Sequence, residues 1–156
     1  MSSGSVELNI EKIDVTALLK QSIAEFEEKI KNSSLKLKFK YDDKKIYANL
    51  DGKKTWRIFE NLINNIIKYS QPNTRVYVDL IEADTKIIIT MKNISHYEMD
   101  FTSDEILKDL KEEIKQETQS SGLGLAIAKS IVELQNGNLT INIDGDLFKV
   151  IVEFNK

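Results

Sequence analysis

Arg57, Asn61, Asn64, Asn65 and Lys68 recur at helical intervals. At about 3.6 residues per turn they share an arc of roughly 100°. Asparagine is a poor helix former, costing roughly half a kcal/mol or more relative to alanine. A face that is merely solvated is usually built from Glu, Lys and Gln. Three asparagines within five positions therefore point to a use for amide oxygens. A carboxamide oxygen can coordinate a hard cation such as Mg2+, which takes oxygen ligands and retains several waters. Lys68, one turn further on, adds a point charge suited to phosphate. A plain solvated face is the competing reading.

A second group lies far along the chain, where Ser120-Ser121-Gly122-Leu123-Gly124-Leu125 runs into the apolar stretch Ala126-Ile127-Ala128-Lys129-Ser130-Ile131-Val132. Two glycines and two serines at the mouth of a helix leave backbone N–H groups free, add little bulk and present the positive dipole end. That combination suits a phosphate group; a flexible helix start is the alternative. The pattern is not a dinucleotide-binding fingerprint, because Ile127 stands where the third glycine belongs and no strand leads in. Nor is it a P-loop, since no Gly-Lys-Ser/Thr closes it. The only histidine, His96, is expected in a surface loop after a strand.

Hydrophobic periodicity supplies the elements that must hold these groups. Val15, Leu18, Leu19, Ile23, Phe26 and Ile30 predict an amphipathic helix over residues 14–32. Leu35, Leu37, Phe39 and Tyr41 alternate with lysines as in a half-buried strand, and residues 46–50 form a second short one. The asparagine helix is expected over residues 53–70, with Trp56, Phe59, Leu62, Ile63, Ile66 and Ile67 on a sheet. Gln71-Pro72-Asn73 ends it. Strands follow at 75–82 and 86–93, joined by a turn at Ala83-Asp84. A charged segment then contains a short helix around Ile106 to Ile114. A helix over 122–135 and a hairpin of 138–143 with 147–154, turning at Asp144-Gly145-Asp146, complete the order. This is an α+β pattern. It predicts a two-layer α/β sandwich with a mixed, largely antiparallel sheet covered on one face by three helices.

The chain has 156 residues, 41% hydrophobic and 30% charged, which fits one domain. That domain is placed at residues 6–156, with 1–5 read as a leader or cloning scar. Twenty-two basic against 25 acidic residues leave a net charge of −3, which argues against nucleic acid as the main partner. The absence of cysteine excludes disulfides and thiolate metal sites. No apolar run approaches the roughly 20 residues of a membrane span.

The stretch Arg57-Ile58-Phe59-Glu60-Asn61-Leu62-Ile63-Asn64-Asn65-Ile66-Ile67-Lys68-Tyr69-Ser70 resembles the asparagine box of sensor histidine kinase catalytic domains. Those domains share a fold with Hsp90, MutL and type II topoisomerase ATPases. Ser121-Gly122-Leu123-Gly124-Leu125-Ala126-Ile127-Ala128-Lys129 resembles their second glycine box, and the resemblance extends over residues 6–154. It implies an ATP-binding fold in which Asn65 holds Mg2+ and Asn61 lies one turn earlier on the same face. Lys68 would face the phosphates and Tyr69 lie beside the base. Ser121, Gly122, Leu123, Gly124 and Leu125 would form the loop over the triphosphate.

The pattern is altered at the adenine contact. The family's Asp-x-Gly-x-Gly stands here as Lys92-Asn93-Ile94-Ser95-His96-Tyr97, with Asn93 in place of the aspartate that accepts from the adenine amino group. The lid segment, residues 104–117, holds six acidic residues and three lysines, which opposes a triphosphate. His96 does not match a phosphoacceptor context. The resemblance therefore implies the catalytic domain of a two-component sensor histidine kinase, with activity expected to be weak. It would transfer the ATP γ-phosphoryl group to a histidine on a separate dimerisation domain, with Asn65 and Lys68 as catalytic residues. A cognate response regulator is the expected onward partner. The full-length protein would be membrane-anchored and homodimeric, with this part in the cytoplasm. A degenerate nucleotide-binding scaffold and a serine-directed, anti-sigma-factor-type kinase are the alternatives.

Overall fold

The computed structural model describes residues 7–95 and 123–156. Strand β1 (Ile10–Asp14) runs antiparallel to β3 (Tyr47–Asp51), forming a separate two-stranded ribbon. Asp14 then caps helix α1 (Val15–Glu25) by accepting from the Ala17 N–H at 3.2 Å. The segment expected as one helix is two, because Phe26 sits at ψ 7° and closes α1 with a bond to the Ile23 carbonyl. Helix α2 (Glu27–Asn32) follows. Phe26 and Ile30 are both buried, so the break keeps both side chains in the core. Ser34, at φ 59°, reverses the chain through a Schellman arrangement: Leu35 N–H reaches the Ile30 carbonyl and Ser34 N–H that of Lys31.

The main sheet has five strands in the order β2 (Lys36–Tyr41), β4 (Arg75–Glu82), β5 (Lys86–Ile94), β7 (Leu147–Asn155), β6 (Asn138–Asp144). Only β2 and β4 are parallel; the rest are antiparallel, giving the mixed sheet expected. Alternation sets the two faces. Val76, Val78, Leu80, Ile87, Ile89, Met91, Val150, Val152 and Phe154 are buried beneath the helices. Each fully buried side chain of this size contributes roughly 1.5–3 kcal/mol relative to exposure. The other face carries no helix among the described residues.

Helix α3 (Gly52–Tyr69) and helix α4 (Leu123–Leu134) pack against each other over this sheet, and α1 packs on α3. Phe59, Leu62, Ile63 and Ile66 are buried as expected, whereas Trp56 and Ile67 are only half-buried. Ile58, off the predicted stripe, is fully buried, because neighbouring helices cover α3 from the side as well as the sheet from below. Asn136, at φ 64°, ends α4 in a second Schellman arrangement, with Gly137 N–H bonded to the Val132 carbonyl at 2.9 Å. Gly137 is required there. A Cβ at that position would stand 2.5 Å from the Glu153 carbonyl oxygen.

Candidate functional site

Helix α3 is anchored at its first turn by Asp51, whose carboxylate accepts from Lys54 N–H at 3.0 Å and from Asn9 N–H at 2.9 Å. These two backbone bonds, the Asn9 one foremost, hold the carboxyl below the usual range for aspartate. Asp51 N–H in turn donates to Gln135 Oε1 at 2.7 Å, and Gln135 Nε2 donates to Thr55 Oγ1 at 3.3 Å. Asp51, Thr55 and Gln135 are all buried. A polar clasp thus ties the start of α3 to the end of α4, fixing how the two helices lie side by side.

That fixed pairing brings the polar face of α3 against the first turn of α4. A Cβ built on Gly124 would lie 3.6 Å from Asn61 Cβ and the Asn61 carbonyl oxygen, and 3.7 Å from Asn65 Oδ1. The glycine leaves open the space beside that amide oxygen. Asn61 and Asn65 are half-buried, Asn64 and Lys68 exposed, and Tyr69 half-buried. Among the described residues, Asn61 Nδ2 is one of only two buried polar side-chain atoms without a hydrogen-bond partner. Such atoms are uncommon and call for an explanation; here a donor lies unused beside a helix start. Gly124 and Leu125 belong to the first turn of α4, where backbone N–H groups have no intrahelical partner. The Leu125 side chain is buried in the core, so only its backbone is available to a ligand.

At the other end of α3, Asn93 is buried near the end of β5 and its Nδ2 donates to Ser70 Oγ at 2.9 Å. This bond orients the amide and turns its oxygen away from Ser70. Ser70 also forms a bridge with Ser95, and Gln71 N–H reaches the Ile94 carbonyl, so the strand end is pinned to the helix end. Ser70 is a site residue that sequence reasoning missed. Its only signal was its position as the last residue of the asparagine box. Ser121, Gly122, the Leu123 side chain, His96 and the acidic segment 104–117 lie outside the described residues. Among the described residues no group of three or more His, Cys, Asp or Glu side chains could hold a metal ion.

Comparison with known proteins matches residues 51–155 to the model of the histidine kinase-, DNA gyrase B- and HSP90-like ATPases. The chain is 32% identical over 143 residues to the sensor protein VanSC of Enterococcus gallinarum, covering 87% of this chain and 38% of that protein. It thus spans well under half the length of this relative. Its backbone superposes on the catalytic domain of histidine kinase ThkA with a TM-score of 0.81 at 21% identity, covering 96% of this chain and 97% of that one. ThkA has also been solved in complex with response regulator protein TrrA; there the TM-score is 0.73 at 22% identity, covering 94% of this chain and 42% of the other. With Asn61, Asn65 and Gly124 brought together on such a fold, the chain belongs to the histidine kinase-, DNA gyrase B- and HSP90-like ATPase family, in the form found in sensor histidine kinases.

Proposed function

We propose that residues 6–156 form one domain that binds Mg-ATP and passes its γ-phosphoryl group to a histidine on a separate dimerisation domain. The γ-phosphorus would lose its bond to the β-bridging oxygen and gain one to an imidazole nitrogen, releasing ADP. The close approach of Gly124 to Asn61 and Asn65 carries this reading, because it sets an unhindered helix start beside the Asn65 amide oxygen and an Asn61 amide nitrogen that has no partner among the described residues. Phosphoryl transfer needs positioning and charge neutralisation more than covalent chemistry from the protein.

Asn65 Oδ1 is suited to hold Mg2+, and with no acidic cluster among the described residues the remaining ligands would be phosphate oxygens and water. The ion would draw off charge from the transferring group. Asn61 Nδ2 would donate to a phosphate oxygen, with the N–H groups of Gly124 and Leu125 and the Lys68 ammonium beside it. Tyr69 would flank the base, and Asn93 would accept from the adenine amino group. Ser121, Gly122 and Leu123 would complete the phosphate loop. The onward partner is a response regulator, a reading supported by the ThkA–TrrA complex. The whole kinase would be a membrane-anchored homodimer with this domain in the cytoplasm.

The test combines this chain with a dimerisation domain bearing the acceptor histidine, and labelled Mg-ATP. Phosphohistidine should form, and Asn65→Ala should slow transfer by about 100-fold, equivalent to roughly 2.7 kcal/mol. It should also remove the Mg2+ dependence of ADP binding. Unchanged transfer by Asn65→Ala would refute the assignment of Asn65. Label on a serine-bearing partner and none on histidine would favour the serine-directed alternative.

A further inference from the structure

The open face of the main sheet is neutralised at one end and not at the other. At the first end Lys86 pairs with Glu153 at 3.5 Å. Lys40 stands directly opposite Asp79. One row further along Lys92 stands directly opposite Lys149, and in the row after that Lys36 stands directly opposite Arg75. Lys38 extends the Lys92 row through Tyr77. Like charges directly opposite one another across strands are destabilising. None of these five cations is in an ion pair among the described residues. With strands about 4.8 Å apart, the row from Lys38 to Lys149 spans roughly 14 Å.

This end of the face is concave. Lys36, Thr74, Arg75, Tyr77 and Lys92 line a groove of about 820 Å3, within the roughly 300–1,000 Å3 of small-molecule sites. Tyr77, 40% exposed, forms its apolar wall, with the Lys92 ammonium 5.7 Å from its ring centroid. We infer that this groove binds a soluble ligand carrying two or more clustered phosphate groups. The Arg75 guanidinium presents a fork that matches phosphate bidentately, and the lysines add mobile point charges. Bridging by such an anion removes the repulsion that the strand register imposes on Lys36–Arg75 and Lys92–Lys149. The concavity favours a compact ligand over an extended surface. Neither Asn65 nor Gly124 lines the groove, although Asn93 reaches its edge, and alternation puts Lys92 on the sheet face opposite to the Asn93 side chain.

Inorganic tripolyphosphate is the probe, titrated into the whole chain without metal and followed by calorimetry and backbone amide shifts. The amides of Tyr77, Lys92 and Lys149 should move. The double variant Arg75→Gln/Lys92→Gln should weaken binding at least tenfold while raising the Tm of the free protein by about 1–2 °C, through relief of like-charge pairs. Shifts confined to Asn65 and Gly124, unchanged affinity in the variant, or a lowered Tm would each overturn the inference. Vesicles of phosphatidylcholine and phosphatidylglycerol form the second arm. Capture by them without any tripolyphosphate response would replace the soluble ligand with a membrane surface.

Discussion

Asn93 donates to Ser70 and keeps its carbonyl oxygen as an uncharged acceptor. An ionised acceptor makes a hydrogen bond roughly twice as strong as a neutral one, so in the proposed adenine contact the asparagine would give up nucleotide affinity for an easier burial. Asn93→Asp should tighten ADP binding by about fivefold, close to 1 kcal/mol. It should also lower the stability of the free protein by about 1–3 kcal/mol, because a carboxylate would replace a buried amide whose hydrogen bond goes to the Ser70 hydroxyl. Calorimetry with ADP and thermal unfolding measure both effects. Unchanged affinity with lowered stability would remove Asn93 from the adenine contact and leave it as a clamp on Ser70.

At the scale of elements, the clasp around Asp51 decides whether α3 and α4 stay in register. Its carboxyl is held below its ordinary value by the Asn9 and Lys54 N–H bonds. A depressed folded-state value contributes stability that is present above the unfolded value, near pH 3.9, and is lost as pH falls through the folded one. The wild-type chain should therefore lose Tm steeply below about pH 4. Asp51→Asn keeps the cap but not the charge, and should flatten that part of the profile. Asp51→Ala should cost about 2–3 kcal/mol at pH 7, through loss of the cap and of the Asn9 contact. An identical acid limb for wild type and Asp51→Asn would show that other carboxylates set it.

For the molecule as a whole, one core runs from α1 through α3 and α4 to the five-stranded sheet. No helix among the described residues is long and apolar enough to cross a membrane. A single core predicts a single cooperative transition. Trp56, the only tryptophan, lies on α3 and reports the helical layer, while far-UV circular dichroism reports the sum. Urea unfolding followed by the two probes should superimpose. An earlier transition at Trp56 would mean that the helical layer separates from the sheet.

Periodicity by itself determined most of the elements. Residues 75–82 were bounded to the residue and the asparagine helix to within one, because alternation and the 3.6-residue stripe follow directly from burial on one side. The asparagine face stood out as a candidate site too, since asparagine is costly in a helix without a use. Other features were beyond local pattern. Strand β1 is largely exposed and owes its identity to pairing with β3. The break at Phe26 and the full burial of Ile58 depend on which elements press from the side. The seating of Gly124 against Asn65 and the facing of Lys36 with Arg75 each join residues about 40 to 60 positions apart. Only helix packing in the first case and strand register in the second could create them, because both are set by long-range burial rather than by any local preference.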